Sequence, residues 1–347
     1  MTNYASLLSV ESRYAGCLLG TALGDSLLLP AEGLGRRRIA RNFPGPLRHR
    51  LVFGRGMVSD DTEHAFLTGQ ALLAAGDDPG RFARALARRL RWWLVSLPGG
   101  CGLATARGLI RSWVGFSPER SGVWSAGNGP AMRSALIGVR WAEDAPRRQA
   151  FVRASTLITH RDPKAIIAAQ AVAEAAAWIL RGDSRDQLLA IWRQGPDAAW
   201  ADMMITLEEH LGRAASVDDF AHSIGCPNGV SGYAYHSVPV ALFAWLRHRH
   251  DPEGCLGALL ACGGDTDTMG AIAGALLGTD DGPQVFPPAW ANRLVDWPLS
   301  PGRLAAVARA LTDPQPREVP WWWMFQPLRN VVFLGIILGH GFRRLLP

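Results

Sequence analysis

Lysine is nearly missing from this sequence. Lys164 is the sole one, so the formal charge of +6 and the isoelectric point near 9.5 rest on arginine. The arginines are scattered, apart from Arg36-Arg37-Arg38 and Arg88-Arg89-Leu90-Arg91. Neither stretch is interleaved with aromatics as in an RNA- or DNA-binding module, so no specific nucleic-acid partner is expected. A solvated basic surface that attracts anionic small molecules fits better. Cysteine is sparse as well: Cys17, Cys101, Cys226, Cys255 and Cys262 are odd in number and form no C-x-x-C pair. That pattern argues against a zinc site or a disulfide framework and for a reducing compartment. Charged residues reach only 19% against 48% hydrophobic, which excludes a disordered chain. Residues 1–14 lack the basic start and apolar core of a secretory signal, and the cytoplasm is the expected location. Strand-like alternation is scarce while helical periodicity recurs, so the expected fold class is all-α. No apolar run at the C-terminus is long enough to span a bilayer: residues 331–346 as a helix extend about 24 Å, against roughly 30 Å of hydrocarbon.

What the sequence does contain is two dense clusters of hard oxygen donors. The first is Asp265-Thr266-Asp267-Thr268, directly after Gly263-Gly264 and before an Ala/Gly/Leu-rich helix. One of these residues would suffice as a helix cap, whereas four oxygen donors on a short turn suit a divalent cation such as Mg²⁺. The second cluster, Ser59-Asp60-Asp61-Thr62, also sits where a loop enters a helix. Adjacent acids repel unless a cation or a helix N-terminus offsets them, so two such clusters point to one shared metal site. Upstream, Gly16, Gly20 and Gly24 recur on one helix face and predict close helix approach. Pro30 ends that helix and leaves Glu32 in the following loop, as a ligand or general base if it lies beside the cation. Trp92-Trp93 reads as packing between helices. Gly127-Asn128-Gly129-Pro130 with Met132 precedes a helix start, where backbone N–H groups can meet phosphates. His160 stands at the entrance of an Ala-rich helix capped by Asp162 and Pro163. Gly232 and Tyr233 belong to a Gly/aromatic loop suited to an adenine or ribose, followed by a helix expected from Val240. Residues 14–312 read as one domain despite the length. Residues 313–347 form a Pro/Trp-rich linker and an apolar C-terminal helix, expected to dock on the domain, in a dimer or in a membrane interface with its terminal arginines.

These motifs, with Gly24-Asp25-Ser26, Pro30-Ala31-Glu32, Thr159-His160-Arg161-Asp162-Pro163 and Gly232-Tyr233, resemble in content and order those of the ADP-ribosylglycohydrolase family, which includes the dinitrogenase reductase-activating glycohydrolases. The resemblance covers roughly residues 14–300. It implies a compact single-domain orthogonal helical bundle with two Mg²⁺ ions, Mn²⁺ being a substitute, at the base of an ADP-ribose cleft. On that basis Ser59, Asp60, Asp61, Asp265, Asp267 and Thr268 form the metal shell. Glu32, Asp60 and Asp61 are the catalytic carboxylates, and Gly127, Asn128, Gly129, Met132, His160, Gly232 and Tyr233 bind the substrate. The implied activity is release of ADP-ribose from an ADP-ribosylated protein or conjugate, with the arginine linkage first. The alternative is a non-catalytic ADP-ribose-binding or immunity-type docking protein of the same fold. Two positions depart from the family pattern. Leu28 stands where a glycine is usual, and Gly100 stands where many bacterial members carry the Asp of Asp-x-Gly-x-x-Thr.

Overall fold

The computed structural model describes residues 8–321 and 323–343, with side chains as far as residue 341. Its helices run α1 (Val10–Leu28), α2 (Arg36–Asn42), α3 (Asp60–Ala75), α4 (Pro79–Val95), α5 (Leu103–Trp113) and α6 (Pro118–Ser121). They continue as α7 (Ala135–Arg140), α8 (Ala145–Leu157), α9 (Pro163–Arg181), α10 (Arg185–Arg193), α11 (Ala198–Gly212) and α12 (Val217–Ser223). The last six are α13 (Ala234–Arg247), α14 (Pro252–Cys262), α15 (Thr266–Asp281), α16 (Pro288–Asn292), α17 (Pro301–Thr312) and α18 (Gln326–Arg343). The described residues form isolated bridges and no sheet, so the fold is all-α.

The glycine row of α1 meets a matching row in α15. A Cβ on Gly16 would lie 1.9 Å from the Gly278 carbonyl oxygen, on Gly20 2.0 Å from that of Gly274, and on Gly24 1.9 Å from that of Gly270. Only glycine lets two helices run antiparallel in backbone contact like this. The pairing sets the C-terminal end of α1 against the N-terminal end of α15, where the Thr266 hydroxyl donates to the Leu28 carbonyl at 3.0 Å. Both helices are buried along most of their length, and α3, α9 and α17 pack around them. Two described helices are long and apolar enough to cross a membrane, Val10–Ala31 and Pro163–Arg181, and both lie in this core.

Some expectations shift. Helix α13 starts at Ala234, with Tyr233 as its N-cap, and keeps Pro239 inside. As its sixth residue, Pro239 forfeits only the bond to the Tyr235 carbonyl, and its neighbours on the helix are buried. Trp93 is buried whereas Trp92 is about half exposed, so only one of the pair is core. All five cysteines are free.

Helix α18 docks on the domain by polar side chains. Arg329 pairs with Asp296 (Nε to Oδ1 3.1 Å) and with Glu63 (3.3 Å), and its Nη2 donates to the Val58 carbonyl at 2.5 Å. Asn330 donates to the Ser96 carbonyl at 2.8 Å and hydroxyl at 2.9 Å, and Gln326 donates to Glu63. Phe333 packs with Leu29, Leu51 and Met57, and a Cβ on Gly99 would be 2.9 Å from its ring. The Arg343 side chain, Arg344 and Pro347, to which the membrane expectation extended, lie outside the described residues.

Candidate metal centre

Both acidic clusters start helices, and the glycine-paired core turns those starts toward each other. Ser59 caps α3, and its hydroxyl accepts from the Asp61 N–H at 3.3 Å and donates to Asp61 Oδ2 at 3.1 Å. Asp265 is the N-cap residue of α15. The two clusters touch where the Thr268 hydroxyl donates to Asp61 Oδ2 at 3.3 Å, across 207 residues of chain. Carboxylate oxygens of Glu32, Asp265 and Asp267 all lie within 4.8 Å of one another. Asp60 points toward the Gly100 turn, where a Cβ would sit 3.0 Å from Asp60 Oδ1. With φ of +84°, that turn is glycine's own conformation. The Asp60 carboxylate thus lies against Gly100, one of the two positions that depart from the motif pattern.

One residue of the centre was not singled out from sequence. Asp25, fully buried near the end of α1, accepts from the Ser59 N–H at 2.9 Å and from the Thr62 N–H at 3.3 Å and hydroxyl at 2.5 Å. It therefore ties the first turn of α3 to α1. Its place in Gly24-Asp25-Ser26 was the only signal for it.

Four loops form the floor, stitched by backbone hydrogen bonds. Gly33 N–H donates to Gly264 O at 2.8 Å, and Gly264 N–H donates to Leu34 O at 3.0 Å. Val230 N–H reaches Gly263 O at 3.0 Å, Asp265 N–H reaches Val230 O at 2.7 Å, and Asn128 N–H reaches Gly232 O at 3.0 Å. Gly264 has φ of +87°, and a Cβ there would meet the Val230 carbonyl oxygen at 2.0 Å. The Asn128 amide donates to Asp265 Oδ2 at 2.5 Å and to the Ser237 hydroxyl at 2.9 Å. It holds a carboxylate of the cluster in place. Gly232 borders the same carboxylate, at 3.4 Å from a would-be Cβ.

The remaining candidate binding residues sit at different depths. His160 is buried under the glycine loop: Cβ atoms on Gly127 and Gly129 would lie 2.9 and 3.3 Å from its ring. Its Nδ1 is 2.9 Å from the Thr159 hydroxyl, and burial, then the nearby Arg133 guanidinium, pushes its pKa down to about 3. His160 is thus a neutral support for the loop. Met132 is buried beneath it too. Tyr233 is half-buried, and its hydroxyl accepts from Lys164 at 3.0 Å. Arg133 is fully buried and anchors the loop, donating to Gly129 O at 3.2 Å, Ser155 O at 3.0 Å and the Thr159 hydroxyl at 3.1 Å.

Electrostatics test whether the cluster fits a cation. Burial raises Asp60, Asp61 and Asp267 well above the usual carboxylate range, and neighbouring carboxylates push them further. Burial also raises Asp265, and it raises Asp25 to about 7 against the pull of its hydrogen bonds. Among the described residues, Asp61 Oδ1 and Asp267 Oδ1 are buried without a hydrogen-bond partner. Carboxylate oxygens so crowded need protons or a positive ion. An all-oxygen donor set suits a hard divalent cation, so these residues fit one.

The family model for ADP-ribosylglycohydrolases matches residues 6–319. The chain belongs to the ADP-ribosylglycohydrolase family. Among relatives, ADP-ribosyl-[dinitrogen reductase] glycohydrolase of Rhodospirillum rubrum is 26% identical over 296 residues, covering 82% of this chain and 91% of its own. ADP-ribosylhydrolase ARH3 of Gallus gallus is 26% identical over 336 residues, covering 80% and 88%. A solved structure titled an ADP-ribosylglycohydrolase-related protein complex superposes with a TM-score of 0.63 at 27% identity, covering 87% of this chain and 97% of its own. Helix α18 begins after the family match ends.

Proposed function

We propose that this chain is a metal-dependent hydrolase that releases ADP-ribose from ADP-ribosylated protein side chains. The observation that carries this reading is the pair of partnerless buried oxygens, Asp61 Oδ1 and Asp267 Oδ1, inside a ring of carboxylates within this family's fold. Ser59, Asp60, Asp61, Asp265, Asp267 and Thr268 are the residues that would hold the cations, with two Mg²⁺ ions as the proposed complement and Mn²⁺ as a substitute. Bound there, the cations supply positive charge that orients ribose hydroxyls and acidifies water. Glu32 is on the exposed loop at the rim and serves as the carboxylate that takes a proton from the attacking water. Asp60, set against Gly100, opposes the positive charge that develops on the ribose as the glycosidic bond breaks. The glycine loop at 127–129, propped from below by His160 and Arg133, is the part we assign to the diphosphate, through the Gly127 and Gly129 N–H groups, because the Asn128 N–H is held by the Gly232 carbonyl. Tyr233, at the N-terminus of α13, offers its ring to the adenosine half.

Arginine is the first linkage to test, because a guanidinium acceptor complements Glu32 at the rim. Arginine-, serine- and O-acetyl-linked ADP-ribose are each incubated with the protein, with Mg²⁺, with Mn²⁺ and with excess chelator. The expected result is release that needs the cation and falls at least about 100-fold in Asp267→Asn. Undiminished release in chelator overturns the metal-dependent reading. Tight ADP-ribose binding without turnover of any linkage favours a binding protein of the same fold. The cytoplasm remains the proposed location.

A further inference from the structure

Helix α18 buries polar side chains beside Phe333 and turns aliphatic ones to solvent. Its polar residues Gln326, Arg329 and Asn330 are 2%, 5% and 1% exposed, while Leu328, Val331 and Leu338 on its outer face are 63%, 61% and 52% exposed. A helix docked on a water-soluble domain normally does the reverse. The outward residues Leu328, Val331, Val332, Leu334 and Leu338 fall on one side of the helix and make an exposed apolar face.

The stripe does not end with the helix. Exposed Trp323 lies 5.5 Å, ring to ring, from Trp92, which lies 5.3 Å from Trp113 on α5. Ile110 and Val114 extend the same apolar surface along and just past α5, at 55% and 70% exposed. A cavity of about 460 Å³ opens beside Trp92 and Trp323, with Arg88 and Arg89 in its wall; Glu318 at its edge is paired with Arg89. An exposed apolar surface of this extent marks an interaction site.

Charge decides what covers it. Residues 79–118 carry seven arginines and no Asp or Glu, and residues 319–347 carry three arginines and again no acid. The acids that pair with Arg329, Glu63 and Asp296, are buried. A second copy of the chain would set arginine against arginine. Tryptophan, aliphatic side chains and arginines that outnumber the one bordering carboxylate, Glu318, are instead the chemistry of the bilayer interface, where rings sit at headgroup depth and cations meet lipid phosphates. We propose that the outer face of α18, with the Trp92–Trp113–Trp323 cluster, docks on an anionic phospholipid surface. The helix lies in the interface plane because its inner face stays pinned to the domain through Arg329 and Asn330.

Flotation of the full chain tests this, with vesicles of phosphatidylcholine and of phosphatidylcholine mixed equally with phosphatidylglycerol. Binding to the mixed vesicles is expected to exceed that to neutral ones by about tenfold and to fall with added salt. The double variant Val331→Glu, Leu338→Glu should lose about tenfold of that binding while thermal unfolding and ADP-ribose release in solution stay unchanged. If its unfolding temperature falls, Ile110→Glu on α5 carries the same test from the other edge of the patch. Vesicle binding equal in parent and variants, or no preference for anionic lipid, overturns the proposal. Light scattering that shows a dimer, made monomeric by the double variant, assigns the face to a second copy and overturns it as well. The readout is lipid binding, so it stands or falls separately from the hydrolase reading.

Discussion

Arg329→Met isolates what α18 contributes to the metal centre. The guanidinium faces two buried carboxylates, Asp296 and Glu63, and donates to the Val58 carbonyl; the Val58 N–H donates to Asp296 Oδ2 at 2.9 Å. Asp296 and Arg329 thus clamp both sides of the residue that precedes Ser59. Methionine keeps most of the side-chain volume and removes every one of these contacts. Removing one partner of a buried ion pair costs about 3–5 kcal/mol, because the remaining charge is stranded. Set against a total stability of roughly 5–15 kcal/mol, that is a large fraction. At about 2 °C per kcal/mol for a larger domain, the unfolding temperature should drop by about 6–10 °C. Loosening Val58 also frees the N-cap of α3, so Mg²⁺ binding followed by calorimetry should weaken several-fold even at temperatures where the variant is folded. Arg329→Lys restores one donor but not the fork that reaches Asp296 and Val58 together, and should recover only part of either loss. A drop in unfolding temperature below about 2 °C, with unchanged Mg²⁺ affinity, would refute the clamp.

Two further outcomes follow from the core and the cluster. In chelator, Asp25 binds its proton more tightly in the folded state (pKa about 7) than in the unfolded one (3.8), so stability present in acid is lost as pH rises through 7. Thermal unfolding should therefore occur at lower temperature at pH 8 than at pH 5 without divalent cation, and added Mg²⁺ should narrow the gap; greater stability at pH 8 in chelator contradicts the assignment. Gly20→Ala would ordinarily stabilise a helix interior by about 1 kcal/mol, yet here the new methyl lies 2.0 Å from the Gly274 carbonyl oxygen. It should destabilise by about 1–3 kcal/mol in urea titration, and an unchanged midpoint would show that α1 and α15 are not in backbone contact.

The parts legible in sequence were those whose signal is local. Asp265 to Thr268 and Ser59 to Thr62 each pack several oxygens into one helix start, and the structure joins them through Thr268 and Asp61. The glycine row of α1 predicted a close neighbour, but the identity of that neighbour depends on a second row about 250 residues later. Asp25 was harder to see because a single acid in an apolar helix has no local partner. Its donors, Ser59 and Thr62, come from a separate helix start 34 and 37 residues on. The sequence puts His160 at the entrance of α9, and what sets it beneath the glycine loop is the contact between residues 123 and 160, which is not local either.

Helix α18 shows why such non-local pairing can reverse a reading based on hydrophobicity. Its apolar residues suggest a buried stripe, and its Gln326, Arg329 and Asn330 suggest a solvated one. Burial goes the other way because Glu63 and Asp296 are already committed to the interior, Glu63 by its place on α3 and Asp296 by its bond to the Val58 N–H. Two buried carboxylates without a cation would cost more than exposing a few aliphatic side chains, each worth roughly 1.5–3 kcal/mol on full burial. Arginine from α18 meets that need, and Leu328, Val331 and Leu338 are then left facing outward while Phe333 stays inside. The same electrostatic demand that draws cations to the Asp61–Asp267 cluster is met at Glu63 and Asp296 by a side chain of the protein itself.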